Sequence, residues 1–215
     1  MLNRRGFIAI AGWLLAWAAG SARGELQAGD NYALIAPQPT EAAGKVEVTE
    51  FFWYGCPHCN DLEPVLNQWL KTLPKDVAFR RVPAIFLDGR WAPAARLYYT
   101  LDALGEETRL RAALFDAIHV GRMNHASESE VAEWAAKNGV ERAKFAAAYH
   151  SAAVQGRINR AQELTQAHGI KGVPAVVVGG KYLTSNTMAG SHEALPAVID
   201  ELIGKARAEQ ASKSK

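Results

Sequence analysis

Only two cysteines occur in 215 residues, and both fall inside one tetrapeptide. That scarcity excludes a small disulfide-framework protein, and the length is ample for a sizeable core without such staples. Charge of one sign is also missing. The 24 Lys and Arg residues face 22 Asp and Glu, a formal net charge of +2, with no basic cluster beyond Arg4-Arg5 and Arg80-Arg81. No nucleic-acid partner is expected from such a balance. The longest apolar run, residues 7–19, is shorter than the ~18 residues a membrane span needs, which excludes a multi-span protein. Repeats and low-complexity tracts are absent apart from the polar end 211–215. What remains is the composition of one globular domain of about 150–200 residues, with room for an insertion.

The first 24 residues have the order of an address. Arg4 and Arg5 precede the apolar run, and small residues at 20–22 or 22–24 supply cleavage points. This is the pattern of a secretory signal peptide, with a retained N-terminal anchor as the competing reading. Residues 3–8 also resemble the twin-arginine export pattern, so the export route stays open between two signals. Cleavage after Ala22 removes Arg4 and Arg5 and leaves 22 basic residues against 22 acidic ones. An exported protein enters an oxidising compartment, where thiols pair or do redox chemistry.

Along the rest of the chain, hydrophobic periodicity predicts an order of elements. Residues 45–54 are β-branched and aromatic, the pattern of a strand entering a buried sheet. Gly55-Cys56-Pro57 breaks that strand, and Leu62, Val65, Leu66, Trp69 and Leu70 then recur at helical spacing. A helix is expected to start at Cys56 or Pro57, with a kink at Pro64. Residues 77–83 form a second strand with Val77, Phe79 and Arg81 on one face. Helices are expected over 94–104, 107–119, 129–138, 142–147 and 153–168, with turns at Gly105, Gly121 and Gly139 and an N-cap among residues 127–130. Residues 173–178 and 181–183 read as a hairpin joined by Gly179-Gly180. A short strand at 32–35 and a last helix at 191–208 complete the order. Trp91, Tyr98 and Tyr99 are expected to be core residues, with a peptide-binding surface as the alternative.

Cys56-Pro57-His58-Cys59 sits where a strand meets a helix N-terminus. The free N–H groups of a helix's first turn and the positive end of its dipole favour a thiolate at Cys56. His58 adds a hydrogen bond or a positive charge in the same sense. Lowering the pKa of Cys56 stabilises the dithiol relative to the disulfide, which makes the disulfide a better oxidant. Two other readings stand beside this one. A purely structural disulfide would close too short a loop to gain much stability. A zinc half-site would need a second pair of ligands, yet the other histidines show no metal-ligand spacing, so no metal is expected.

The stretch Glu50-Phe51-Phe52-Trp53-Tyr54-Gly55-Cys56-Pro57-His58-Cys59, followed by a helical block and a late Val173-Pro174, resembles the DsbA family of periplasmic thiol:disulfide oxidoreductases in the thioredoxin superfamily. The resemblance covers nearly the whole chain beyond the signal segment. It implies an α/β thioredoxin-like fold over residues 30–86 and 169–208, interrupted by an all-helical domain over 87–168. It further implies that Cys56 is the exposed nucleophile, Cys59 the buried resolving partner, and Pro174 a cis-proline that, with Val173, presents backbone to a substrate peptide. Pro57 and His58 would tune the redox balance. Glu50 matches the family's buried acid, with Arg81 as a candidate ion partner that parity alone does not separate from Arg80. Pro64 departs toward the helix proline of thioredoxin itself.

The implied activity is donation of the Cys56–Cys59 disulfide to reduced cysteine pairs of newly exported proteins, through a mixed disulfide. The implied setting is the periplasm, as a monomer, without a cofactor, and with reoxidation by a membrane quinone reductase of the DsbB type. A reductant of the cytochrome c maturation kind and a peptide-binding chaperone with an incidental disulfide are the rival readings. An isomerase of the DsbC type would need an N-terminal dimerisation domain, for which the short stretch before the first strand leaves no room.

Overall fold

The computed structural model describes residues 26–87 and 89–213. The signal segment expected at residues 1–24 lies outside that range. Five strands form one sheet: β1 Ala33–Leu34, β2 Val46–Phe52, β3 Val77–Pro83, β4 Ala175–Val178 and β5 Tyr182–Thr184, in the order β1-β5-β4-β2-β3. Only β2 and β3 run parallel; the other pairings are antiparallel. Every residue of β2 is buried, because β3 and β4 flank it and side chains cover both of its faces. Val46 and Val48 pack into one apolar cluster with Leu62 and Leu66, whereas Phe51 belongs to a second cluster that extends into the helical block. β4 divides the same way, with Val176 and Val178 in the first cluster and Ala175 and Val177 in the second, as period two requires.

Helix α1 spans Pro57–Leu70, with Cys56 in extended conformation as its N-cap. Proline suits the first helical position because the N–H it lacks would have had no partner there. The helix continues through Pro64. At its far end, the Trp69 indole donates to Asp200 Oδ1 at 2.9 Å, which ties it to the last helix, α8 Leu195–Lys213.

Between β3 and β4 lie α2 Ala92–Ala103, α3 Glu107–His119, α4 Glu128–Lys137, α5 Arg142–Tyr149 and α6 Ala152–Ala167. The hydroxyls of Ser127 and Ser151 accept from the third residues of α4 and α6, the N-capping expected of serine. Tyr98 and Tyr99 are core residues, and Trp91 is half-buried against Phe86 and Trp53.

Helix ends differ from expectation where proline or glycine decides them. The last helix starts at Leu195 rather than 191, with Pro196 in its first turn. Before it stands a short helix, α7 Asn186–Ala189, that no periodicity announced; Ser185 caps it and Gly190, at φ 92°, ends it. The β4–β5 hairpin turns on Gly179 and Gly180, at φ 58° and 69°. A Cβ on Gly180 would lie 2.2 Å from the Gln38 carbonyl oxygen, so a side chain there would force the backbone to shift.

Candidate active site

β2 ends at Phe52, and a turn brings the Cys56 amide back to the Trp53 carbonyl at 3.0 Å. Gly55 in this turn lies against the Trp53 indole; a Cβ there would fall 2.5 Å from the ring. The chain thus delivers Cys56 to the N-terminus of α1, where it is only 8% exposed rather than the open nucleophile expected, because the Val173 carbonyl lies against its sulfur; Cys59, one turn further, is fully buried. Both are thiols in this structure.

The two sulfurs have opposite environments. The Cys59 thiol donates to the Cys56 sulfur, the largest effect on it, and outweighs burial; the backbone amides of Cys59 and His58 and the His58 charge act in the same direction. Together they bring Cys56 from the ordinary thiol value of 9.0 down to about 6. Burial pushes the Cys59 thiol well up, and the hydrogen bond to Cys56, the Cys56 charge and the Glu50 charge push the same way. The expected helix N-terminal effect is thus present as two named amides. The His58 ring itself is exposed and stacks on His192, with centroids 5.9 Å apart and planes 29° from parallel.

Val173 and Pro174 face this pair from the other side of the chain. The Val173–Pro174 bond is cis, and the Cys56 sulfur lies 3.5 Å from the Val173 carbonyl oxygen. Beside them opens a cavity of about 420 Å³, walled in part by Ile35, Ile170, Val173, Pro174, Leu183 and Met188. On the opposite flank, Trp53 packs on Trp91 at 4.4 Å and edge-on to His125 at 5.4 Å.

Beneath the cysteines is an ionic cluster. In the parallel pairing of β2 and β3, Glu50 stands level with Arg81 and Thr49 with Arg80, which settles the choice that parity left open. Arg81 Nε donates to Glu50 Oε2 at 3.0 Å and its Nη2 to Glu63 Oε1 at 3.1 Å. Arg80 instead pairs with Glu47 and Glu41. Glu50 is fully buried; burial raises its pKa, and Arg81 and then Arg111 oppose that rise. Sequence reading missed Glu63, Glu107 and Arg111. Their signal was present: residues 59, 62, 63 and 66, and 107, 110, 111 and 114, are the buried positions of α1 and α3 at i, i+3, i+4, i+7. Charged residues of both signs on such faces point to a buried ion cluster.

Among the described residues, no group of three or more His, Cys, Asp or Glu is arranged to hold a metal, and no helix is long and apolar enough to cross a membrane.

A family model of the DSBA-like thioredoxin domain matches residues 76–195. The thiol:disulfide interchange protein DsbA of Azotobacter vinelandii is 44% identical over 172 residues, covering 80% of each chain. The chain belongs to the DsbA family. Pseudomonas aeruginosa strain PAO1 has a DsbA 41% identical over 182 residues, 84% of this chain and 86% of that one. The crystal structure of Pseudomonas aeruginosa DsbA aligns with a TM-score of 0.82 at 39% identity, over 88% of this chain and 97% of that one. Membership in the DsbA family makes this a protein-disulfide oxidoreductase with a thioredoxin-like fold, in which the five helices α2–α6 are inserted between β3 and β4.

Proposed function

We propose that the protein oxidises reduced cysteine pairs of newly exported proteins in the periplasm by giving them its Cys56–Cys59 disulfide. The observation that carries this reading is the asymmetry of the two sulfurs, Cys56 at about 6 and Cys59 pushed well up. A stabilised thiolate on Cys56, the less buried of the two cysteines, favours the dithiol product and so drives the disulfide outward to clients.

In the forward reaction a client thiolate attacks Cys56 Sγ. A new S–S bond forms, the Cys56–Cys59 bond breaks, and its electron pair leaves on Cys59, which takes up a proton. The client's second thiolate then attacks the client sulfur of the mixed disulfide. Cys56 departs as a thiolate, a good leaving group because of its low pKa, and the client holds the disulfide. The client is oxidised by two electrons and the enzyme reduced by two. Val173 and Pro174 dock the client backbone beside Cys56, and Pro57, His58 and Glu50 tune the redox balance. In this reading residues 30–86 and 169–208 form the redox domain, residues 87–168 form the inserted helical domain, and a membrane quinone reductase of the DsbB type restores the disulfide.

The test is the redox equilibrium of the purified protein against glutathione, with Cys56 and Cys59 read by thiol labelling. A potential well above thioredoxin's, which is about −270 mV, is expected. A thioredoxin-like value would move the protein to the reductant class.

A further inference from the structure

Five charged side chains from four elements meet under the cysteine pair: Glu50 from β2, Arg81 from β3, Glu63 from α1, and Glu107 and Arg111 from α3. Arg111 is the member that the inserted helices send into the redox half, and it is 3% exposed. Each edge of its guanidinium faces a different carboxylate. Nη1 is 2.9 Å from Glu107 Oε1, Nε 2.7 Å from Glu63 Oε2, and Nη2 3.9 Å from Glu50 Oε2. The Nε contact is close but poorly aligned, a charge contact more than a hydrogen bond. Aromatic rings lie around the same group, with Phe52 at 4.2 Å, Phe115 at 5.3 Å and Tyr54 at 5.5 Å from the guanidinium carbon. Tyr54 also donates to Glu107 at 2.8 Å, which holds that carboxylate in place.

With all five ionised, three carboxylates against two guanidiniums leave one negative charge in excess. Arginine does not release its proton, so any adjustment falls on a carboxylate. Glu50 is the one poised to adjust: it is the most deeply buried of the three, burial raises its pKa, and its Oε1, like Glu63 Oε2, has no hydrogen-bond partner. Its charge also reaches Cys59. The groups that face Glu50 are Arg81 from β3, Glu63 from α1, Arg111 from α3 and Cys59 itself, with Glu107 and Tyr54 acting through Arg111.

We infer that Arg111 is a positioning residue, through which the inserted helices hold the cluster's charge nearly balanced so that the electron pair can depart onto Cys59 across a wide pH range. This rests on the reading of Cys56–Cys59 as the exchanging pair. When the disulfide breaks, negative charge arrives on Cys59 in a buried site, and ionised Glu50 opposes it while Arg111 offsets Glu50. Without Arg111, Arg81 alone offsets Glu50. Glu50 would then hold its proton at low pH, where Cys59 departs unopposed, and would lose it as pH rises, where departure is opposed.

The experiment compares Arg111→Met with the wild-type protein in the rate of glutathione oxidation by the disulfide form, from pH 5 to 8. Taking the ratio of the two rates cancels the ionisation of glutathione, common to both. The expected ratio falls as pH rises, and Arg111→Lys, which restores a point charge, flattens it part of the way. A ratio that is constant with pH, whatever its size, would mean that Arg111 is only structural and would overturn the inference. Should Arg111→Met fail to fold, Glu107→Gln decides: it removes one negative charge and keeps the acceptor for Tyr54, so its ratio is expected to rise with pH. A flat ratio there overturns the inference equally. If the exchanging-pair reading itself is wrong, wild-type protein oxidises no glutathione at any pH, a different result from flat ratios.

Discussion

The sulfur of Cys56 lies 3.5 Å from the carbonyl oxygen of Val173, a residue 117 positions away in sequence. A carbonyl accepts a hydrogen bond from a thiol and has none to receive from a thiolate. The disulfide form carries no proton on Cys56 either, so the thiol alone occupies the Val173 carbonyl, and the thiolate and the disulfide leave it open. The occupancy of that carbonyl thus depends on the one proton that Cys56 holds as a thiol.

The first prediction concerns that proton. Alkylation of Cys56 in the dithiol form, or its thiolate absorbance near 240 nm, is expected to titrate with a midpoint near 6. Because this value lies below that of the unfolded thiol, near 9.0, ionisation stabilises the folded dithiol form. The contribution is full above the unfolded value and is lost as pH falls through about 6. Urea unfolding of the dithiol protein and of Cys56→Ser at pH 5 and pH 8 checks the sign. The wild-type advantage should be larger at pH 8; an equal or reversed difference refutes it.

Cys59→Ser is expected to trap clients. The Cys56 thiolate of that variant attacks oxidised glutathione or a client disulfide, expels one thiolate and keeps the other sulfur in a mixed disulfide, which Cys59 is no longer there to resolve. Mass spectrometry should find a stable adduct on Cys59→Ser and none on Cys56→Ser. Oxidase turnover should be lost in both variants, and turnover that survives Cys56→Ser would remove the oxidase reading.

Replacing Glu63 by Leu takes a carboxylate from both guanidiniums, since Glu63 lies 3.1 Å from Arg81 and 2.7 Å from Arg111. Removing one partner of a buried ion pair costs about 3–5 kcal/mol, and the remaining contacts to Glu50 and Glu107 place this case at about 3 kcal/mol. Chemical denaturation measures it. A loss under about 1 kcal/mol would mean that the cluster is far better solvated than its burial implies.

Gly180→Ala tests the hairpin. Its φ of 69° is left-handed, and the added Cβ would meet the Gln38 carbonyl at 2.2 Å. A loss of about 1–3 kcal/mol is expected from the conformation and the overlap together. Activity per folded molecule should be unchanged, because the turn lies at the end of β4 opposite to Val173 and Pro174.

Much of the site was legible because its determinants are local. The β-branched and aromatic stretch 46–54 and the break at Gly55-Cys56-Pro57 announce a strand feeding a helix N-terminus, and the amides that lower Cys56 come from the same tetrapeptide. Gly179-Gly180 announced the hairpin for the same reason, that a left-handed turn is a property of the residues in it. The short helix α7 was not legible, since four residues carry no period.

By itself, then, the sequence determined the reactive tetrapeptide, the strand and helix that present it, and the glycines its turns require. Tertiary structure alone decided which arginine meets Glu50, since that depends on β3 lying parallel to β2 in one register. It also brought Arg111 from an inserted helix against Glu63 and set the Val173 carbonyl against Cys56. Patterns along a chain record what neighbouring residues do to one another. Contacts between distant segments depend instead on packing that excludes water and strengthens charge interactions, and no local pattern carries that information.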